Sequence, residues 1–290
     1  MTLSPRQYIR RTPPIPAISN DNYSDAERPR YLALQIVFSG IAAIVFLGVG
    51  GALGEHGWRT PFWMYLLSIV IMVPLGFILF EPKQTDRPPP ATVVGTKFPL
   101  AGILGICSVT LFAAICFYIP IVQNGFLFNA IGIHSPQTIG LAGAAGAIAN
   151  LSGSAAFVAL TRYGHNLACS LSFVLMGAGL IIVSFGGSLP VFIAGGVISA
   201  FGGGILIPTL VNWALSKLRF EQRGRSVGLW QAAFWLGQFI SPLVVLAVMP
   251  AAGSLARTVT GFGAALVVLS AAWAAATYRS WAMVVSSAAE

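Results

Sequence analysis

Charge is almost absent from the centre of this chain. Between Lys97 and Lys217, Arg162 is the only charged residue in 119 positions. A water-soluble domain needs a polar surface and cannot be built from such a stretch. A helix of about 20 apolar residues, by contrast, crosses a bilayer. The sequence therefore excludes a soluble domain here and predicts an all-α, polytopic helical membrane protein.

Cysteine and histidine are also scarce, with three residues of each type. The cysteines lie inside apolar segments and are typical of small buried side chains rather than disulfides, metal ligands or nucleophiles: Cys107, Cys116 and Cys169. The histidines fall between the apolar segments: His56, His134 and His165. Because no histidine is placed to act as a base near the bilayer centre, the pattern argues against an intramembrane enzyme. We predict no catalytic residue, no metal and no cofactor.

Asp, Glu, Lys and Arg are missing from the middle of every apolar segment. Membrane proton relays and ion sites normally use such groups, so the sequence predicts no coupling site of its own. Glu55 follows the first segment. We interpret it as a boundary residue, with a proton carrier as the alternative.

Eight apolar segments can be counted, each close to the length of about 20 residues that a span needs. They cover 31–54, 61–80, 98–122, 137–160, 167–186, 190–215, 226–249 and 258–277. The predicted organisation is a polar, proline-rich tail (1–30), two helices (31–80), a cytoplasmic linker (81–97), a six-helix unit (98–280) and a second tail (281–290).

The basic residues give the orientation. Of 16 Lys and Arg residues, only Arg59 and Arg257 fall on the side opposite the N-terminus. Cytoplasmic loops carry the basic excess, so both termini are predicted to be cytoplasmic, in the cell inner or plasma membrane. The net charge of +8 is spread over short segments between spans. We therefore expect the lipid bilayer as partner and no nucleic acid.

Glycine is abundant in the fourth and sixth spans. The fourth has Gly140, Gly143, Gly146, Ala147 and Gly153, and the sixth has Gly195, Gly196 and the run 202–204. Small residues let helices approach closely in lipid, so we interpret them as packing positions. The alternative is that they form kinks, together with Pro208 and Pro242, at which helices rock during transport.

Several motifs occur in the second half of the chain. Residues 202–208 read GGGILIP, 221–225 read EQRGR, 228–231 read GLWQ, and 236–242 read LGQFISP. Residues 157–165 fit the pattern G-x3-D-R-x-G-R at Arg162 and Gly164, with Phe157, Thr161 and His165 at the other fixed positions. In the first half, 50–62 combine Gly50-Gly51 with GWRTPF. Together these motifs resemble spans five to twelve of a major facilitator superfamily transporter.

The resemblance covers about residues 25–280 and implies a secondary active permease that moves a small organic solute by alternating access. Because full members have twelve spans, it also implies a chain shortened by its first four spans and able to self-associate through the incomplete half. The alternatives are a transport-inactive remnant and, more remotely, an intramembrane enzyme. The family's antiporter motif has Gly-Pro where this chain has Phe46-Leu47, so antiport is not implied.

Uncharged polar residues are the candidates for a solute cavity. Gln231 and Gln238 are seven residues apart and share a helix face, beside Trp235. Asn150 lies near the middle of the fourth span and Tyr118 in the third. Each fits either a cavity wall or a contact with another helix or the membrane interface. We expect a site between spans three, four, six and seven for a neutral or amphipathic solute, with no preference between sugars, aromatic metabolites and lipophilic drugs.

Cytoplasmic gate residues follow from the resemblance and from the electrostatics of helix ends. The candidates are Arg162, Gly164, Arg223 and Arg225. The alternative is that the arginines only anchor the topology.

Overall fold

A computed structural model describes residues 28–78, 100–216 and 223–287. These residues form eight α-helices: α1 (Arg28–Gly54), α2 (Leu66–Ile78), α3 (Leu100–Ala130), α4 (Pro136–Leu160), α5 (His165–Phe185), α6 (Leu189–Ser216), α7 (Arg223–Ala252) and α8 (Leu255–Ser287). A 3₁₀ helix, Thr60–Tyr65, leads into α2, and another, Thr161–Tyr163, joins α4 to α5. The linker 81–97, most of the tail 1–30 and the loop 217–222 lie outside the described residues.

The prediction of eight spans is confirmed, because the described residues contain eight helical segments long and apolar enough to cross a membrane. The third differs from the expected bounds. It was expected to end at residue 122, but α3 continues through Pro120 and Asn124 to Ala130. In lipid each backbone polar group needs an internal partner, so a helix that carries on past a proline costs less than one that breaks.

The helices pack mainly in pairs. Helix α6 packs against both α4 and α5. On the outer sides, α1 packs against α4 and α8 packs against α5, while α3 and α7 form a further pair. The largest fully buried side chains come from α3, α5, α6, α7 and α8: Phe128, Phe173, Ile119, Met176, Leu180, Ile205, Leu206, Leu210, Leu266 and Val245. The α2 span has no buried residue. Its exposed apolar side chains suit a lipid environment, which is as apolar as they are.

Glycines stand at the helix crossings. A side chain on Gly204 of α6 would overlap the Asn150 carbonyl of α4, and one on Gly153 would overlap the Phe201 carbonyl. A Cβ on Gly195 would lie 2.8 Å from the Val183 nitrogen of α5. These contacts agree with the packing interpretation of the glycine-rich spans, because a larger residue would separate the helices.

The two ends of the bundle are named here by one residue each. The Glu55 end holds the turns at 55–59, 131–135, 186–188 and 253–254, and the Arg162 end holds the turn at 161–164. At the Glu55 end, Ser135 caps α4 by accepting a hydrogen bond from the Thr138 backbone N–H (3.2 Å). The Glu55 carboxylate accepts bonds from Ser135 Oγ (2.5 Å) and the Gln137 backbone N–H (3.0 Å), so it ties α1 to the start of α4.

Candidate functional site

A cavity of about 470 Å³ lies between α1, α3, α4 and α6. Small residues of α4 and α6 make room for it, since Gly143, Gly146 and Gly196 are all in its wall. A Cβ on Gly196 would have no heavy atom within 4 Å, and one on Gly146 would lie 3.8 Å from the Ala200 Cβ. Not every glycine of the fourth and sixth spans is therefore a packing position; these three shape an opening.

The lining is apolar with a few polar groups. Three phenyl rings contribute, from Phe117, Phe128 and Phe192. The polar side chains in the wall carry hydroxyls or amides: Ser39, Asn124, Asn150, Ser154 and Ser199. None of the described residues that line the cavity is charged. Burying an ion here would leave it without a counter-charge, so the chemistry suits an uncharged ligand.

Asn150 both joins two helices and lines the cavity. Its Nδ2 donates a hydrogen bond to the Ala200 carbonyl of α6 (3.2 Å). Among the described residues none donates to its Oδ1, so the amide keeps one acceptor for a ligand. The two interpretations given for Asn150 from the sequence, cavity wall and helix contact, are compatible in this geometry.

Ser154 lies one turn further along α4, also in the cavity wall. Its hydroxyl has two carbonyl oxygens within hydrogen-bond distance, Asn150 O of its own helix (3.1 Å) and Gly204 O of α6 (3.0 Å). Like Asn150, it therefore connects the cavity wall to the backbone of α6.

Tyr118 and Trp235 belong to a cluster of aromatic rings between α3 and α7. Phe234 is at its centre, with ring centroids 5.9 Å from Tyr118, 5.9 Å from Trp235 and 5.6 Å from the stacked ring of Trp230. Phe117 lies 6.2 Å from Phe234 and also lines the cavity, so it is the link between the two sites. Neither Tyr118 nor Trp235 is itself in the cavity wall.

None of the described side chains of α7 lines this cavity, and α1 forms the wall that was expected from α7. The rotation of α7 explains this difference. Ser241 is buried and donates to the Ile115 carbonyl of α3 (2.9 Å), and a Cβ on Gly237 would lie 2.6 Å from that of Ala114. With that face against α3, Gln231 is exposed and Gln238 half-buried. This geometry does not test whether either glutamine binds a solute, and the cavity described here does not require them.

The gate candidates lie near the Arg162 end. Arg162 is exposed in its 3₁₀ turn, and Gly164 has φ 96° and ψ 154°, a conformation that is essentially limited to glycine. Gly164 thus has a structural reason to be glycine in this turn. Arg223 and Arg225 are in the first turn of α7, but their side chains lie outside the described residues. The gating role of all four stays a prediction.

Little in the sequence indicates that α1 forms a wall of the cavity. Ser39, Gly40, Ala43 and Leu47 carry no charge or amide, and small residues in an apolar span are as typical of packing as of a cavity. Asn124 lies two positions beyond the expected end of the third span at residue 122, so its place in the wall depends on the longer α3.

Comparison with known proteins adds the family. Residues 11–153 match the model of the Major Facilitator Superfamily, a region that includes α1, α3 and most of α4, three of the four cavity walls. The motifs between 190 and 242 lie beyond that match. The search of curated proteins found no match. With its eight apolar helices, the chain is an integral membrane protein, and residues 11–153 are similar to the Major Facilitator Superfamily, whose members are transporters.

Proposed function

We propose that this chain is a secondary active transporter that moves a neutral, mostly apolar organic solute by alternating access, with the cavity between α1, α3, α4 and α6 as the binding site. The observation that carries the proposal is the uncharged cavity of about 470 Å³ in a chain whose residues 11–153 match a family of transporters. Ligand sites for drug-sized molecules have volumes of about 300–1,000 Å³.

The balance of polar groups narrows the solute class. A sugar has a hydroxyl on almost every carbon, and each one buried without a partner costs roughly 1–3 kcal/mol. Five polar side chains are spread over the four helices of this wall, and two of them, Asn150 and Ser154, already bond α6. An aromatic metabolite or a lipophilic drug with one or two hydrogen-bonding groups fits this supply better than a sugar, and the three phenyl rings can stack on it.

The direction of access follows from the basic residues. We infer that the Arg162 end faces the cytoplasm, since cytoplasmic loops carry the basic excess. Arg162 and the start of α7 then form the cytoplasmic end of the solute path, as proposed for the gate.

Uptake by proteoliposomes tests the proposal. The purified chain is reconstituted, and uptake of radiolabelled chloramphenicol, a neutral aromatic amide, is compared with uptake of radiolabelled sucrose. Gly196→Leu fills the cavity without a backbone clash, since nothing lies within 4 Å of its Cβ. Gly261→Leu is the matched control, because Gly261 is also open but lies exposed on α8.

We expect uptake of chloramphenicol above that of empty liposomes, little uptake of sucrose, and loss of chloramphenicol uptake in Gly196→Leu but not in Gly261→Leu. Equal uptake in both variants would mean that the solute passes elsewhere. If the folded protein moves neither probe nor any other neutral aromatic compound offered, the transport-inactive alternative is favoured.

A further inference from the structure

Pro208 leaves one backbone carbonyl of α6 without its usual donor. In an α-helix the carbonyl of residue i accepts from the N–H of residue i+4, so Gly204 O depends on position 208. Proline has no N–H. Pro208 lies inside the continuous helix Leu189–Ser216, and in a membrane no bulk water is at hand to replace the missing donor.

Ser154 of α4 supplies the donor. Its Oγ lies 3.0 Å from Gly204 O, the carbonyl that Pro208 cannot serve. The approach depends on the absence of a side chain at Gly204, because a Cβ there would overlap Asn150 O and lie 3.0 Å from the Ser154 nitrogen. Gly204, Pro208 and Ser154 therefore form one structural unit across two helices.

The same hydroxyl has a second acceptor and faces the cavity. It lies 3.1 Å from the Asn150 carbonyl of its own helix. A hydroxyl has one proton to donate, so a bond to Asn150 O is made at the expense of the bond to Gly204 O. The Ser154 hydroxyl can therefore give up its hydrogen bond to Gly204 O of α6 and still donate to Asn150 O. It also lines the cavity, where a solute that accepts its proton would have the same effect.

We propose that Ser154 is a positioning residue that replaces the missing N–H of Pro208, holds α6 against α4, and links the state of α6 to the contents of the cavity. The link to the solute rests on the proposed transport function. The replacement of the N–H does not, since it concerns the backbone of α6 alone.

A double-mutant cycle on thermal unfolding in detergent tests the replacement. Ser154→Ala removes the donor, and Pro208→Ala restores an N–H at position 208. We expect Ser154→Ala to lower the Tm of the full chain by about 2–4 °C in the parental background, and by less than about 1 °C in the Pro208→Ala background. An equal loss in both backgrounds would overturn the proposal.

Ser241→Ala is the matched control. Ser241 also donates across helices, to Ile115 O at 2.9 Å, but the helical donor of that carbonyl is the N–H of Ile119, which is present. Ser241→Ala should lower the Tm by the same amount whether position 208 is proline or alanine. A loss that vanishes in Pro208→Ala would show a general effect of the proline and contradict the specific pairing with Ser154.

A second pair of variants covers the case in which Pro208→Ala does not fold. Ser154→Thr and Ser154→Val have nearly the same shape, but only threonine keeps the hydroxyl. We expect the threonine variant to melt higher than the valine variant by about 2–4 °C. Equal Tm values would overturn the assignment of a donor role.

Chloramphenicol uptake tests the link to transport. Ser154→Ala should slow uptake about fivefold in the parental background and add little to Pro208→Ala, since a contribution of about 1 kcal/mol corresponds to such a factor. An equal slowing in both backgrounds refutes the link. If the parental protein moves no probe, the proposed function fails while the melting experiments still decide the role of Ser154.

Discussion

Gly51 of α1 and Gly140 of α4 lie in direct backbone contact. A Cβ on Gly51 would lie 2.9 Å from the Cα of Gly140, and a Cβ on Gly140 would lie 2.8 Å from the Cα of Gly51 and 2.5 Å from the Leu47 carbonyl. Because α1 forms a wall of the cavity, this crossing fixes the position of that wall on α4.

Gly140→Ala is therefore expected to destabilise the protein. In an open helix position, alanine is favoured over glycine by about 1 kcal/mol, but here the methyl group meets backbone atoms that cannot rotate away. We expect a Tm several degrees lower in detergent. Gly48→Ala on α1 is the control, since no atom lies within 4 Å of its Cβ, and it should leave the Tm unchanged or raise it. A neutral Gly140→Ala would contradict the close crossing.

The contact that the Glu55 carboxylate makes between α1 and α4 is expected to depend on pH. Hydrogen bonds from Ser135 Oγ and then from the Gln137 N–H lower the pKa of its carboxyl below the usual 4.5. A depressed pKa means that the stabilisation is fully present above the usual pKa and is lost as the pH falls through the lowered value. Glu55→Gln should thus lower the Tm at pH 7, and this difference should shrink below about pH 4, the usual range of a glutamate.

The control for Glu55 is Arg59→Gln, a change of charge at the same end of the bundle. The Arg59 guanidinium lies over the Trp58 ring, 4.9 Å from its centroid, and so within its own turn. Its effect on Tm should be the same at both pH values. A Glu55→Gln effect that does not change with pH would exclude ionisation of the carboxylate as the source of the contact.

Any side chain at Gly164 is expected to destabilise the protein, and the reason is the backbone conformation alone. A Cβ there would meet no atom within 4 Å, yet its φ is +96°. Non-glycine residues in such regions cost about 1–3 kcal/mol, so Gly164→Ala should lower the Tm by several degrees. Gly187→Ala is the control, because Gly187 is equally open without a positive φ. Equal Tm values for the two variants would argue against strain at Gly164.

The spans were predictable from the sequence because the bilayer imposes a single strong rule, a run of apolar residues about 20 long. That Asn150 contacts another helix could be expected for a similar reason, since an amide in an apolar span needs a hydrogen-bond partner. The rotation of α7 was not predictable. It depends on Ser241 and Gly237 packing against α3, and the opposite face, with Gln231 and Gln238, looked the more polar one in sequence.

The role of Ser154 likewise could not be predicted from the sequence alone. Pro208 and the glycines before it are visible in the sequence, and the missing N–H follows from proline chemistry. The donor that replaces it is separated from Gly204 by 50 residues along the chain. No local pattern relates the two, so the pairing is known only from the way α4 and α6 cross.

The orientation in the membrane can be checked by labelling. With the native cysteines replaced, Tyr163→Cys and Ser188→Cys place single thiols in exposed turns at opposite ends of the bundle. From the distribution of basic residues we expect a membrane-impermeant maleimide to label position 188 in intact cells, and position 163 only after the membrane is opened. Labelling of position 163 in intact cells would reverse the predicted topology.

Asn150→Leu and Gln231→Leu distinguish the cavity from the exposed face of α7 as the solute path. Asn150 is in the cavity wall, whereas Gln231 is exposed outside it. We expect Asn150→Leu to abolish chloramphenicol uptake and Gln231→Leu to leave it within about twofold of the parental rate.

Interhelical hydrogen bonds in membranes contribute only about 0.6 kcal/mol on average, so loss of the bond to Ala200 should not unfold the protein. Tm and membrane expression of both variants check this. The reverse pattern, with uptake lost only in Gln231→Leu, would place the solute on α7 and remove the cavity as the site.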